Sequence, residues 1–103
     1  MGTASEKKFY LCRLLPPRPS FPADMTPAEA EVMGRHVAYW TGFVEKGVAI
    51  VFGPVADPKG AWGVGILQVE TEDQLRTIQE NDPARSIGAR YETLPMPRAI
   101  FRG

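Results

Sequence analysis

A chain of 103 residues can bury one core and little more. Lysine plus arginine equal aspartate plus glutamate at 12 each, with no basic run, so the concentrated positive face that a nucleic acid or an anionic membrane requires is missing. An apolar fraction of 44%, with glycine and proline abundant but aperiodic, argues for a globular domain rather than a disordered or fibrous chain.

The segment 1–8 is polar and lacks the apolar centre of a signal peptide, and no apolar stretch approaches the ~20 residues of a membrane span. The single cysteine, Cys12, cannot close an internal disulfide, which fits a reducing cytoplasm. One histidine and one cysteine are too few soft ligands for a zinc site, and no calcium-loop spacing occurs, so no metal or cofactor is expected.

In chain order, Phe9 to Leu15 reads as a first strand, interrupted by Arg13. Pro16-Pro17-Arg18-Pro19-Ser20-Phe21-Pro22 follows, within a Pro-rich loop over residues 16–25 that is too stiff for a helix or a central strand. It is either a plain connector or a lid with Phe21 as its apolar tip. Thr26 then caps a helix, with Pro27 at its first position and Glu29 closing a capping box. Met33, Val37, Trp40 and Val44 recur at helical spacing and predict the buried stripe. The only histidine, His36, falls about 60° from Met33, at the border of that stripe. Gly47 stops the helix.

Val48 to Phe52 is the next strand, with Gly53-Pro54 expected to end it. Asp57-Pro58-Lys59-Gly60 makes a tight turn into a strand over Ala61 to Glu70, a hairpin. Thr71 caps a second helix, with Gln74 as its reciprocal partner and Leu75 and Ile78 on its buried side. Asp82-Pro83 ends it, since a residue before proline is driven out of helical geometry. A last strand is predicted around Arg90 to Leu94, with a short extension near Ala99 to Arg102.

The order βαββαβ predicts one α+β domain over residues 1–103, ferredoxin-like, with an ordered core over 8–102. Two helices cover one face of a four-stranded sheet. Val48 to Phe52 is apolar on both faces, so a homodimer with the two sheets face to face is expected to cover the other side.

The helical His36 followed by Tyr39-Trp40, then Gly47, Gly53-Pro54, the Asp57-Pro58-Lys59-Gly60 turn, Trp62-Gly63 and Asn81-Asp82-Pro83 together resemble the YCII-related (YciI-like) family. The likeness runs from about Phe9 to Pro97. It implies a dimeric α/β barrel of ferredoxin-like protomers, like that of muconolactone isomerases. It also implies a site pairing the helical histidine with the aspartate of the Asn-Asp-Pro motif, matched here by His36 and Asp82. Few members have an established reaction. At least one is a dehydrochlorinase acting on a chlorinated hydroxyquinol, and nothing in this sequence selects that substrate.

An aspartate at one imidazole nitrogen fixes the tautomer and leaves the other nitrogen to accept a proton. That chemistry suits elimination or isomerisation of a small activated substrate. No nucleophile elbow is present, and Cys12 has no marked activator, so hydrolysis of an unactivated bond is not expected. Trp40, Gly53, Pro54 and Arg13 are the candidate substrate contacts. Each has a structural alternative: Trp40 as core, Gly53-Pro54 as a strand turn, and Arg13 in a surface or dimer ion pair. His36 could equally be a semi-buried histidine bonded to a carbonyl or water. A non-catalytic small-ligand-binding or regulatory module on the same scaffold is the rival reading. A haem-dependent oxygenase is disfavoured, because the sole histidine would have to be its axial ligand.

Overall fold

The computed structural model describes residues 7–102; most of the polar segment 1–8 lies outside the described residues. The elements are β1 (Lys8–Leu15), α1 (Pro27–Glu45), β2 (Ala49–Val55), β3 (Trp62–Val69), α2 (Glu72–Glu80), a 3-10 turn (Pro83–Ile87) and β4 (Arg90–Pro95). The strands form one antiparallel sheet in the order β2-β3-β1-β4, and both helices pack on one face, the ferredoxin-like α+β arrangement expected.

The helix starts are written locally. The Thr26 hydroxyl accepts the Glu29 N–H at 3.1 Å while the Glu29 carboxylate accepts the Thr26 N–H at 3.0 Å, a complete capping box. Thr71 caps α2 through the Gln74 N–H, but the Gln74 side chain reaches one residue further back than expected, to the N–H of Glu70 at 2.9 Å. Asp82 does end α2, and it also opens the 3-10 turn as its N-cap, an element the helix-stop reading does not contain.

Three expectations are corrected. Gly53-Pro54 does not end β2, which runs on to Val55 with Gly53 opposite Val64 and Pro54 opposite Gly63. Proline is tolerated there because β2 is an edge strand, where one side of the ladder carries no partner. No strand forms over Ala99 to Arg102, although Phe101 packs its ring on Phe9 at 4.6 Å between centroids. The buried arc of α1 is Val32, His36 and Trp40, whereas Val37 is 61% exposed and Val44 43%. The helix is turned so that its histidine lies at the centre of the buried arc.

Strand register sorts the sheet into rows. Towards the helices lie Phe52-Gly65-Cys12-Thr93 and Pro54-Gly63-Leu14-Tyr91. Away from them lie Val51-Ile66-Leu11-Leu94 and Gly53-Val64-Arg13-Glu92. Cys12, Leu67 and Val69 are fully buried under Trp40, Leu75 and Ile78, and their burial against water is the main stabilising contribution. The outer row is apolar from edge to edge, with Val51 and Leu94 about half exposed. No helix among the described residues is long and apolar enough to cross a membrane.

Candidate active site

The polar centre of the molecule is the carboxylate of Asp82, 3% exposed. The 3-10 turn it caps presses it against α1. Its Oδ1 receives the Ala84 N–H at 2.9 Å and the His36 Nδ1 at 2.8 Å. Its Oδ2 receives the Trp40 indole N–H at 2.9 Å and the Tyr91 hydroxyl at 2.5 Å. Burial pushes this carboxyl upward, but the bonds donated by His36, Tyr91, Trp40 and Ala84 together outweigh it and hold the group below the usual carboxylate range. Asp82 is therefore ionised near neutrality.

That fixes the histidine. An ionised carboxylate only accepts, so His36 Nδ1 carries the proton. The ring is buried, in edge contact with Phe52 at 5.4 Å, and it lines a cleft, which leaves Nε2 as the nitrogen facing the open space. With the imidazole neutral, Nε2 is a base aimed into the cleft and braced from behind. Tyr91 bonds the same carboxylate, and burial, followed by that hydrogen bond to Asp82 and then the Asp82 charge, drives its phenol well above the ordinary range, so it stays a donor.

The cleft has a volume of about 520 Å³ and lies between α1, the Pro-rich loop and the β2–β3 hairpin. Trp40, Gly53 and Pro54, three of the candidate substrate contacts, line it. Phe21 lines it too and is 7% exposed, so the Pro-rich loop is a wall of the cleft rather than a plain connector. Arg18 clamps that wall. Its guanidinium reaches both carboxylate oxygens of Asp24 at 3.0 Å and both of Glu29 at 2.7 Å. Arg18, with help from the Thr26 N–H, holds the Glu29 carboxyl down to about 2.

Arg13 does not join the site. On β1 the side chains alternate, so with Cys12 and Leu14 facing the helices Arg13 faces the other way. There it pairs with Glu92 at 3.2 Å and lies over the Trp62 ring at 4.5 Å, the ion-pair alternative. Tyr39 and Phe43 pack in the core, with the Tyr39 hydroxyl donating to the Ile78 carbonyl at 2.6 Å. Tyr91, the Ala84 N–H and Phe52 are participants that sequence reasoning missed. Only the strand register, which sets Tyr91 opposite Leu14 on the helix-facing side, could have found Tyr91. Among the described residues no three His, Cys, Asp or Glu side chains gather to hold a metal ion.

No curated protein is significantly similar in sequence to this chain. Among solved structures, the NE2512 protein of unknown function from Nitrosomonas europaea is similar with a TM-score of 0.57 at 12% identity, covering 96% of this chain and 98% of that one. That likeness extends to the fold alone. The sequence pattern of the YCII-related domain matches residues 10–97, a span that holds every strand but the first two residues of β1, both helices and the whole Asp82 centre. On that match the chain belongs to the YCII-related family.

Proposed function

We propose that this protein is a small, cofactor-independent acid–base enzyme in which His36 Nε2 takes up and returns a proton while Asp82 holds the imidazole. The reaction class is elimination or isomerisation of a small activated molecule seated against Trp40, Gly53 and Pro54. One observation carries the reading: the same imidazole has Nδ1 on a buried, ionised carboxylate and its other nitrogen on an apolar cleft. The carboxylate stabilises the imidazolium that proton abstraction creates, and the apolar walls strengthen that interaction by excluding water. The working form is a cytoplasmic homodimer, joined through the outer sheet row of Val51, Ile66, Leu11 and Leu94.

The second reading is a ligand-binding or regulatory module. In its favour, Asp82 also bonds Trp40, Tyr91 and Ala84, so the cluster would be needed as a structural joint whatever His36 does. This fold hosts both kinds of function. The test is to incubate wild type and His36→Ala with a panel of small molecules bearing acidic C–H groups in deuterated water and follow exchange and elimination. The enzyme reading expects His36→Ala to lose about 10²–10⁴-fold in rate with ligand binding retained. Binding without turnover across the panel, in wild type and variant alike, favours the module.

A further inference from the structure

Among the described residues that line the cleft there is no lysine, arginine, aspartate or glutamate. Two cations of the neighbouring elements are engaged elsewhere: Arg18 by Asp24 and Glu29, and Arg13 by Glu92 on the far face of the sheet.

The side-chain hydrogen-bond donors on the walls are also committed. The Trp40 indole N–H is given to Asp82 at 2.9 Å, and the Trp62 indole N–H to Asp57 at 3.0 Å. The Thr41 hydroxyl donates to the Val37 carbonyl at 2.7 Å, and His36 Nδ1 to Asp82. What remains for a ligand, with the imidazole neutral, is one strong side-chain acceptor, His36 Nε2, among apolar walls.

From this, and resting on the reading of His36 as the reactive base, we infer that the cleft takes an uncharged, largely apolar ring compound whose one polar group is a weakly acidic O–H or C–H, and that it rejects carboxylates and phosphates. A donor on the ligand meets Nε2. With the imidazole neutral, a carboxylate would find no counter-charge and no free side-chain donor on the walls, and would be desolvated without compensation. The ring is held by burial against Phe21 and Met33 and by aromatic contact with Trp62. Selectivity thus comes from the spent donors as much as from shape.

Three matched probes test this: 2-naphthol, 2-methoxynaphthalene and 2-naphthoate, each titrated at neutral pH into the wild-type protein. The ring-proton resonances of the lone histidine report occupancy. We expect saturable binding of 2-naphthol with movement of the His36 signals. The ether, which lacks the donor, should bind up to about tenfold more weakly. The carboxylate should bind at least about 100-fold more weakly. Val37→Arg, an exposed position at the cleft mouth, should recover 2-naphthoate binding by supplying the missing cation without disturbing the core. Equal or tighter binding of 2-naphthoate by the wild type overturns the inference. So does failure of all three probes to move the His36 signals, the outcome expected if an apolar segment of a second copy fills the cleft. His36→Ala should keep the ring in place while erasing the preference for 2-naphthol over its ether. That preference is read by binding alone, so its failure is distinguishable from an absence of turnover, which would sink the enzyme reading.

Discussion

Phe52 stacks on Trp40, ring centroids 4.2 Å apart and planes 10° from parallel, and the stack depends on the absence of a side chain at Gly65. A Cβ there would lie 2.4 Å from Phe52 Cδ2. Phe52 also touches the His36 ring edge-on, so one pair of stacked rings links the sheet to the imidazole that lines the cleft. Gly65→Ala should push Phe52 out of register and destabilise the fold by about 1–3 kcal/mol. A thermal melt together with the near-ultraviolet circular dichroism of the Trp40–Phe52 stack checks this. An unchanged aromatic spectrum would mean that the ring is held by something other than the space over Gly65.

The Asp82 carboxyl is held below its ordinary value in the folded chain, because four donated bonds overcome its burial. A depressed carboxyl contributes stability that is complete above the unfolded value of about 3.9 and is lost as the pH falls through the folded-state value. Asp82→Asn removes that contribution and leaves buried donors poorly matched, at a cost on the order of 3 kcal/mol at neutral pH. Urea unfolding from neutral to strongly acidic solution should find the gap between wild type and variant narrowing as the acid increases. A gap that is the same at every pH would show that ionisation of Asp82 does nothing for stability.

Cys12 is fully buried, and that burial pushes its thiol up to about 11 against the opposing contacts with Gln79 and Thr93. The folded protein should resist thiol alkylation near neutrality, with the rate rising to that of a free thiol only in denaturant. The sign on the alkaline side is opposite to that of Asp82. The stability that a neutral, buried thiol contributes is complete below about 8.5 and is lost as the pH rises through about 11. Rapid labelling of the native protein would contradict the packing around β1.

Arg18 joins two carboxylates, Asp24 on its own loop and Glu29 on α1. The Asp24 end is exposed and the Glu29 end partly buried, so Arg18→Ala should lower the melting temperature only modestly. Local amide exchange across 18–25 should nevertheless rise, and ligand binding in the cleft should weaken, because Phe21 loses the clamp that seats it. Hydrogen-exchange mass spectrometry resolves this segment. Unchanged protection would show that Phe21 burial alone holds the wall.

Much of this molecule was legible before folding because the relevant physics is local. The capping box of Thr26 and Glu29, the cap at Thr71 and the turn closed by Gly60 each act within a few residues. The order of elements, and with it the ferredoxin-like α+β fold, followed from such signals. The His36–Asp82 pair was legible in a different way, through the likeness of the chain to the YCII-related family. No periodicity connects two residues that are 46 positions apart.

What the sequence determined by itself was where each helix begins, where each strand of the sheet begins to within a residue, and that one histidine lies at the border of the buried stripe, because caps, turns and amphipathic spacing are read from neighbours in the chain. The tertiary structure alone decided the rest. It turned α1 so that His36, not Met33 or Val37, sits at the centre of the buried arc. It carried β2 through Gly53-Pro54 as an edge strand, sent Arg13 to the far side of the sheet and brought Tyr91 to the carboxylate. Those outcomes rest on helix rotation and strand register, which are fixed only when distant apolar faces close on one another and every buried donor must find its acceptor.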